Sequence, residues 1–280
     1  MAVLGRQIIR DPRDPAVACF RGSDVRSAVA PGNFVVETMH VVRRLLESDL
    51  EVFRLLVSET RLPELEPLLA ATGRASLEIL IAPSTLLTEI VGFDRHRGIA
   101  ASAKRPAAVD PLAVIAGLAG HKTTTLLIAE GIVDPINIGA IIRASRAFAV
   151  DLLILGPGCG DPWSRRASRA AMGNNLAMHR AIARVEDLSA TLKALKNAST
   201  DLQIAAATTG AKARSLTTWS RGKRLALLLG NEGVGLSEAL QRLADTELTI
   251  PMASGVDSLN VGAATAVLLY AVGGLISLDT

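Results

Sequence analysis

Three short segments in the second half of the chain carry polar side chains beside glycine and proline. The first contains Asn137 and Arg143, the second Glu232, and the third Ser258 and Asn260. An arginine side chain keeps its positive charge in proteins, so Arg143 could stabilise negative charge that develops on an oxygen atom. Taken singly, these residues also fit simpler roles: Asn137 and Ser258 are residue types that cap helices, and Glu232 could be a solvated carboxylate in a turn. The three segments together predict a functional site in the second half of the chain.

Helical and strand patterns alternate along the chain, which indicates an α/β fold. In the first half, strands are predicted at 51–57 and 77–81, with a helix at 62–72. In the second half the same alternation predicts strands at 123–129, 152–155, 202–207, 225–229 and 248–250, and helices at 137–148, 164–172, 186–197 and 259–275. The run at 225–229 is apolar throughout, as in parallel strands covered on both faces. We expect the site at the carboxyl ends of these strands.

The chain has 280 residues, which is long enough for two domains. Small residues and proline occur at 99–108, with Pro111 just beyond, and they place the boundary in this region. We predict a smaller first domain at 1–108 and a second domain at 109–280.

Composition excludes several classes of protein. With 49% hydrophobic and 20% charged residues the chain is not disordered, and two isolated cysteines, Cys19 and Cys159, support neither a disulfide framework nor a thiolate metal site. The four histidines show no ligand-like spacing, so no metal is expected. The charged N-terminus lacks a signal-peptide core, and the uncharged stretch 258–277 is too polar for a membrane span. A cytoplasmic location is the expectation.

The positive charge is distributed unevenly. The formal net charge is only +3, but 162–185 and 202–231 contain arginine and lysine without any acidic residue. Guanidinium groups match phosphate oxygens well, so these windows are candidates for nucleic-acid contact.

The segments 134–143, 229–235 and 250–270, in this order, resemble the three motifs of the SpoU/TrmH family of RNA 2'-O-ribose methyltransferases. The match covers roughly 126–270, and the first domain looks like the ribosomal-L30e-like substrate-binding domain of these enzymes. The resemblance implies a SPOUT domain with a parallel sheet and a deep trefoil knot. It also implies a homodimer whose active site uses both subunits, S-adenosylmethionine as cofactor, and rRNA or tRNA as substrate.

The resemblance also implies roles for individual residues. Asn137, Glu232, Ser258 and Asn260 would orient Arg143 and the ribose. Cofactor contacts are expected from the second and third motifs and from a segment that follows a strand end: Gly230, Asn231, Ile250, Pro251, Met252 and Leu259, with Thr208, Thr209 and Gly210. RNA contacts are expected from His96, Arg97, Arg165 and Arg166.

The expected chemistry follows from the reactants. A ribose 2'-hydroxyl is a poor nucleophile until its proton leaves, whereas the methyl group of S-adenosylmethionine is already activated by the sulfonium. The enzyme must therefore position the pair and stabilise alkoxide character. We assign this stabilisation to Arg143, and its use as a general base stays open.

Three positions depart from the family pattern. Gly262 stands where serine is frequent, Ala271 where an acidic residue is common, and Thr38 where the first domain has glycine. The first two affect helix packing or the dimer edge, and the third affects the RNA contact of the first domain.

Two alternative functions remain open. One is an RNA-binding module of the same fold without turnover, which cofactor affinity would distinguish from an enzyme. The other is a nicotinamide-dependent oxidoreductase, suggested by the glycines at 156–160, although their spacing does not match the dinucleotide-binding fingerprint.

Overall fold

The computed structural model describes residues 5–21, 32–74, 76–92, 97–210 and 213–273. They divide into two compact units. The first unit comprises the described residues up to Pro106 together with Pro162–Ala177, and the second comprises Ala107–Asp161 and the described residues from Met178 onward. The segment Pro162–Ala177 lies within the predicted second domain in sequence but packs with the first unit.

The described residues form the following elements in chain order: β1 (Arg6–Ile8), a 3₁₀-helix (Pro15–Phe20), β2 (Asn33–Glu37), α1 (Met39–Glu47), β3 (Val52–Ser58), α2 (Leu62–Thr72), β4 (Glu78–Ala82), α3 (Ser84–Val91), β5 (Ile99–Lys104), α4 (Pro111–Gly117), β6 (Thr124–Ala129), α5 (Pro135–Ala147), β7 (Leu152–Leu155), α6 (Arg165–Ala170), α7 (Asn174–Ala177), β8 (Ile182–Arg184), α8 (Leu188–Ala198), β9 (Leu202–Ala207), β10 (Arg214–Ser215), a second 3₁₀-helix (Leu216–Thr218), β11 (Arg224–Leu229), α9 (Glu238–Gln241), β12 (Thr246–Thr249) and α10 (Val261–Gly273).

The first unit contains a mixed sheet with strand order β1-β4-β3-β5-β2. β4 runs parallel to β1 and β3, whereas β5 runs antiparallel to β3 and β2. Our sequence prediction missed β5, because its alanines and serine have little intrinsic preference for strands. Burial determines the outcome here: Ala100, Ala101 and Ala103 are fully buried in the sheet.

The second unit is built on a parallel sheet with strand order β10-β12-β9-β11-β6-β7-β8. This confirms the predicted α/β fold with a parallel sheet. Leu126, Ile154 and Leu228 belong to its buried core, which also includes side chains of α8. Since the strands are parallel, the loops that follow β6, β7, β9, β11 and β12 leave the same edge of the sheet.

The described part of the last helix, α10, spans Val261–Gly273, so the helix begins two residues later than the predicted 259–275. Positions 274 and 275 lie outside the described residues. In the part of the chain that the structure describes, no helix has the length and apolar character needed to cross a membrane.

Candidate active site at the edge of the parallel sheet

A cavity of about 400 Å³ lies at this edge of the second unit, enclosed by the loops that follow β9, β11 and β12 and by the start of α10. This volume lies within the range of about 300–1,000 Å³ that is typical of small-molecule sites. Leu229, Ala264 and Leu268 give it apolar walls. The pocket therefore offers both apolar and polar surface to a small-molecule ligand.

Most of the predicted cofactor residues line this pocket: Thr208, Thr209, Gly230, Asn231, Ile250, Met252 and Leu259. Gly210 and Pro251 do not line it. Sequence reasoning missed Gln241 and Glu247, which also line the pocket. Neither residue lies in one of the three motifs. Glu247 could have been suspected from the sequence only because it lies in the strand that leads to Ile250.

Gly230 has a structural role in addition to the one its sequence suggests. A Cβ atom at Gly230 would lie 2.4 Å from the carbonyl carbon of Gly235 and from the nitrogen of Leu236. Glycine is therefore required there because the loop closes on its own backbone, and not only because a ligand comes close.

Three predicted catalytic residues come together in one hydrogen-bonded cluster. The Asn260 amide donates from Nδ2 to Asn137 Oδ1 (2.9 Å) and to Glu232 Oε1 (3.0 Å). Glu232 Oε1 also accepts a hydrogen bond from the backbone N–H of Val261 at 3.0 Å. Asn260 Oδ1 in turn accepts from the backbone N–H of Gly262 at 3.0 Å. A residue of helix α5 and residues that follow β11 and β12 thus meet at the N-terminus of α10.

The helix α5 presents Asn137 from its first turn. Asp134, and not Asn137, caps this helix: its side chain accepts from the backbone N–H of Ile136 at 2.9 Å, and Pro135 occupies the first helical position. The side chain of Asn137 is therefore left for the contact with Asn260.

The helices α5 and α10 approach each other closely at Gly262. A Cβ atom at this position would lie 2.6 Å from the Cβ of Ala140. Glycine thus allows the contact that brings Asn137 and Asn260 within hydrogen-bonding distance.

The other two predicted catalytic residues lie outside the cluster. Ser258 lines the pocket and is exposed. Arg143 is exposed on α5, does not line the pocket of its own chain, and forms no hydrogen bond or ion pair with any residue in the described ranges. The helix places it about 9 Å along the axis from Asn137.

The predicted RNA-binding residues have different environments. Arg166 and Arg97 are exposed, and His96 lies outside the described residues. Arg165 is only 3% exposed, and its guanidinium group donates to Glu37 Oε1 at 2.9 Å and to the carbonyl oxygen of Phe20 at 3.0 Å. The guanidinium group of Arg165 is therefore occupied by contacts within the protein, and we do not retain Arg165 as an RNA contact.

Other arginines of the two basic windows also serve the fold. Arg184 donates to the carbonyl oxygens of Gly160 and Cys159. Arg221 donates to Thr125 Oγ1 and to the carbonyl oxygen of Thr124, and its burial lowers the pKa of its guanidinium group. Absence of acidic residues in sequence thus does not by itself identify an RNA surface.

Neither cysteine offers a reactive thiolate. Burial raises the pKa of the Cys159 thiol, which donates to the carbonyl oxygen of Ala129, and burial likewise raises the pKa of Cys19. Among the described residues, no group of three or more histidine, cysteine, aspartate or glutamate side chains is arranged to hold a metal ion.

Comparison with protein families gives two matches along the chain. Residues 124–270 match the SpoU rRNA methylase family, and residues 35–108 match the RNA 2'-O ribose methyltransferase substrate-binding domain. An uncharacterized tRNA/rRNA methyltransferase of Mycobacterium tuberculosis is 34% identical, over 95% of this chain and 91% of the relative. The 23S rRNA (guanosine-2'-O-)-methyltransferase RlmB of Yersinia pestis is 31% identical, over 85% of this chain and 96% of the relative.

Solved structures share the same fold. The AdoMet-bound rRNA methyltransferase from Sinorhizobium meliloti matches with a TM-score of 0.77 and 23% identity, over 95% of this chain and 97% of that one. The family match and these relatives define an adenosylmethionine-dependent RNA methyltransferase. The chain belongs to the SpoU rRNA methylase family, as its motifs indicate.

Proposed function

We propose that this chain transfers the methyl group of S-adenosylmethionine to a ribose 2'-hydroxyl of rRNA or tRNA. The reaction takes place where the cofactor pocket meets the cluster of Asn137, Glu232 and Asn260. The observation that carries this proposal is the double contact of the Asn260 amide, which bridges Asn137 and Glu232 at the pocket edge. One amide thereby holds the polar groups of all three motifs together.

The pocket holds the cofactor between two kinds of surface. Leu229, Ala264 and Leu268 would contact the adenine, while backbone groups near Gly230 and Ile250 would bind its polar atoms. Bound there, the cofactor supplies a methyl group that its sulfonium has already activated. The protein then has to bind the ribose at the correct distance and exclude water.

The polar cluster prepares the nucleophile. Asn137 Oδ1 is occupied by Asn260, while Asn137 Nδ2 forms no hydrogen bond with any residue in the described ranges and can donate to a ribose or phosphate oxygen. Arg143 would stabilise the alkoxide that forms when the 2'-hydroxyl loses its proton. We assign this electrostatic role to Arg143.

Because Arg143 does not line the pocket of its own chain, we propose that a second copy of the chain supplies it in a homodimer. Exposed apolar side chains on the same two helices support this proposal: Ile136 on α5 is 46% exposed, and Val267 and Tyr270 on α10 are 41% and 63% exposed. These residues would be covered by the second copy.

The remaining features complete the proposal. The first domain, residues 1–108, would bind RNA through Arg97 and His96, and the exposed Arg166 would add a phosphate contact. The second domain, 109–280, would contain the deep trefoil knot formed by the loops that follow β11 and β12. The free cysteines and the RNA substrate fit a cytoplasmic enzyme.

Mixed dimers test the shared site. Arg143→Ala and Asn260→Asp should each lower methyl transfer by about 10²–10³-fold as homodimers. When the two variants are co-expressed with different tags and the mixed dimer is purified, one of its two sites has an intact pocket and an intact arginine from the other subunit. That dimer should recover about half of the wild-type rate per dimer, because a twofold symmetric dimer has two equivalent sites.

The same experiment can contradict the proposal. A mixed dimer that stays inactive would show that Arg143 acts on the pocket of its own chain, and a monomer in light scattering would exclude the dimer. A wild-type protein that binds S-adenosylmethionine in calorimetry but methylates no RNA from a strain lacking the gene would exclude the proposed reaction. Mapping 2'-O-methyl groups in RNA with and without the gene identifies the substrate.

A further inference from the structure

The side chain of Asn231 is fully engaged within the protein. Its Nδ2 donates to the carbonyl oxygen of Gly131 at 2.7 Å, and its Oδ1 accepts from the backbone N–H groups of Gly233 (2.8 Å) and Val234 (3.1 Å). Its backbone also pairs with Gly235 in both directions. The amide faces only N–H donors on one side and a carbonyl oxygen on the other, which fixes its orientation.

Gly131 lies in the turn that leads from β6 to α5. It has a φ of +68°, and its backbone N–H donates to the carbonyl oxygen of Pro157 in the loop that follows β7. A second hydrogen bond connects the end of the Glu232 loop to this turn: the backbone N–H of Ser237 donates to Glu130 Oε2 at 2.7 Å. The loop that carries Glu232 is therefore anchored at both ends to the turn that precedes α5.

We propose that Asn231 is a positioning residue for catalysis and that its side chain does not contact the cofactor. It sets the position of Glu232, the next residue, relative to the helix that carries Asn137 and Arg143. This inference rests on the proposed function and replaces our sequence-based expectation that Asn231 binds the cofactor. The cofactor pocket then touches Asn231 only as part of its wall.

The test uses the dimeric protein with two substitutions, Asn231→Asp and Asn231→Ala. Asn231→Asp retains an oxygen that accepts from Gly233 and Val234 but places a second oxygen against the carbonyl of Gly131. Asn231→Ala removes both sets of bonds. Asn197→Asp, which makes the same change on the exposed side of α8, is the matched control.

We expect kcat at saturating RNA and cofactor to fall about 10- to 100-fold in both variants, since small displacements of reacting groups have effects of this size. The KM for the cofactor and the Kd for S-adenosylhomocysteine should change by less than about threefold, because the lost bonds lie within the protein. Asn197→Asp should leave all three constants unchanged. The melting temperature of each variant reports whether the fold is retained.

A pH profile separates positioning from general loss of structure. In Asn231→Asp, a protonated carboxyl group can again donate to the carbonyl of Gly131, while a carboxylate cannot. The carbonyl oxygen of Gly131 favours the protonated form, whereas the N–H groups of Gly233 and Val234 favour the carboxylate. Because only the protonated form restores the bond to Gly131, the ratio of variant to wild-type kcat should rise as the pH falls from 8 to 5, and the ratio for Asn231→Ala should stay constant.

Two outcomes would overturn this inference. One is a rise in the cofactor KM with an unchanged kcat, which would make Asn231 a cofactor contact. The other is a wild-type kcat in both variants. If instead the wild-type protein transfers no methyl group, the proposed function fails and the role of Asn231 is not at issue.

Discussion

Glu37 and Glu232 are carboxylates that meet side chains from distant parts of the sequence, yet their surroundings differ. Glu37, in the first unit, is fully buried and receives Nη1 of Arg165 at 2.9 Å and Nη1 of Arg169 at 2.5 Å. Glu232, in the second unit, is exposed at the pocket edge, and its donors are the neutral amide of Asn260 and a backbone N–H.

This difference separates a structural carboxylate from one that can take part in a reaction. A buried carboxylate must be neutralised by cations, because leaving it unpaired costs several kcal/mol. A carboxylate at a pocket edge is held by neutral donors and keeps its remaining oxygen for a ligand. Among the described residues, Glu232 Oε2 has no hydrogen-bond partner, whereas both oxygens of Glu37 are paired.

Among the substitutions considered, the largest loss of unfolding free energy is expected at Glu37. Glu37→Gln leaves the buried guanidinium group of Arg165 and the partly buried one of Arg169 without their counter-charge, and it should lower the free energy of unfolding by about 3–5 kcal/mol. Glu232→Gln makes the same chemical change at the exposed site and should cost less than about 1 kcal/mol, since exposed charges contribute little. Urea denaturation of both variants measures the difference. Equal losses would show that burial does not distinguish the two carboxylates.

In contrast to Glu37→Gln, which lowers stability, Asn260→Asp should have a large effect on the rate of methyl transfer and a small effect on stability. The new carboxylate repels Glu232 Oε1 and Asn137 Oδ1, so methyl transfer should fall about 100-fold, which corresponds to about 2.7 kcal/mol. Aspartate is as good a helix cap as asparagine, so the melting temperature should stay within about 2 °C of wild type. A drop in melting temperature that parallels the loss of rate would make Asn260 a structural residue.

The sequence was sufficient to predict the parallel sheet, because buried parallel strands such as β11 have continuous apolar runs. The five catalytic residues came from the family resemblance, and the structure joins three of them, Asn137, Glu232 and Asn260, by hydrogen bonds. The alanine-rich strand β5 was not predictable in this way, because its burial depends on partners that are distant in sequence.

The environments of the arginine side chains also could not be predicted from the sequence. Arg165 and Arg166 are adjacent in a basic window, yet the first is buried against Glu37 and the second is exposed. The burial of Arg165 depends on the acid at position 37, which is more than a hundred residues away along the chain. The local density of charge in the sequence therefore does not show which arginines are buried.

The contact between α5 and α10 offers a test of how the Glu232 site depends on packing. Gly262→Ser would place a Cβ atom 2.6 Å from Ala140 Cβ and push the helices apart. We expect a loss of about 2 kcal/mol in unfolding free energy and a lower rate of methyl transfer, because overpacking is costly and the bond between Asn260 and Asn137 lengthens.

The matched control removes the obstructing atom. In the double variant Ala140→Gly with Gly262→Ser, the nearest remaining atom of residue 140 is its Cα, 3.9 Å away. The Oδ1 atom of Asn260 remains 3.2 Å from the new Cβ, so the added serine should cost less stability and activity than in the wild-type background, but not nothing. A double variant as damaged as Gly262→Ser alone would show that the clash with Ala140 is not the cause.

The smallest effect is expected beside Glu37, at Thr38. This residue joins β2 to α1 with φ +73° and ψ +143°, a backbone conformation that strongly favours glycine. Thr38→Gly should relieve strain of about 1–3 kcal/mol at an entropic cost of about 0.5–1 kcal/mol, for a net gain of about 1 kcal/mol in unfolding free energy. Thr38→Ala, which keeps the Cβ atom, should gain much less.

The strain at Thr38 can persist only if its surroundings hold the backbone in place, and the ion pairs of the preceding residue, Glu37, are contacts able to do so. In a Glu37→Gln background the backbone is free to relax, so Thr38→Gly should gain less there than in the wild type. A double-mutant cycle in urea measures this coupling. Equal gains in the two backgrounds would show that the ion pairs of Glu37 do not maintain the strained turn, and that their contribution is confined to the charges they neutralise.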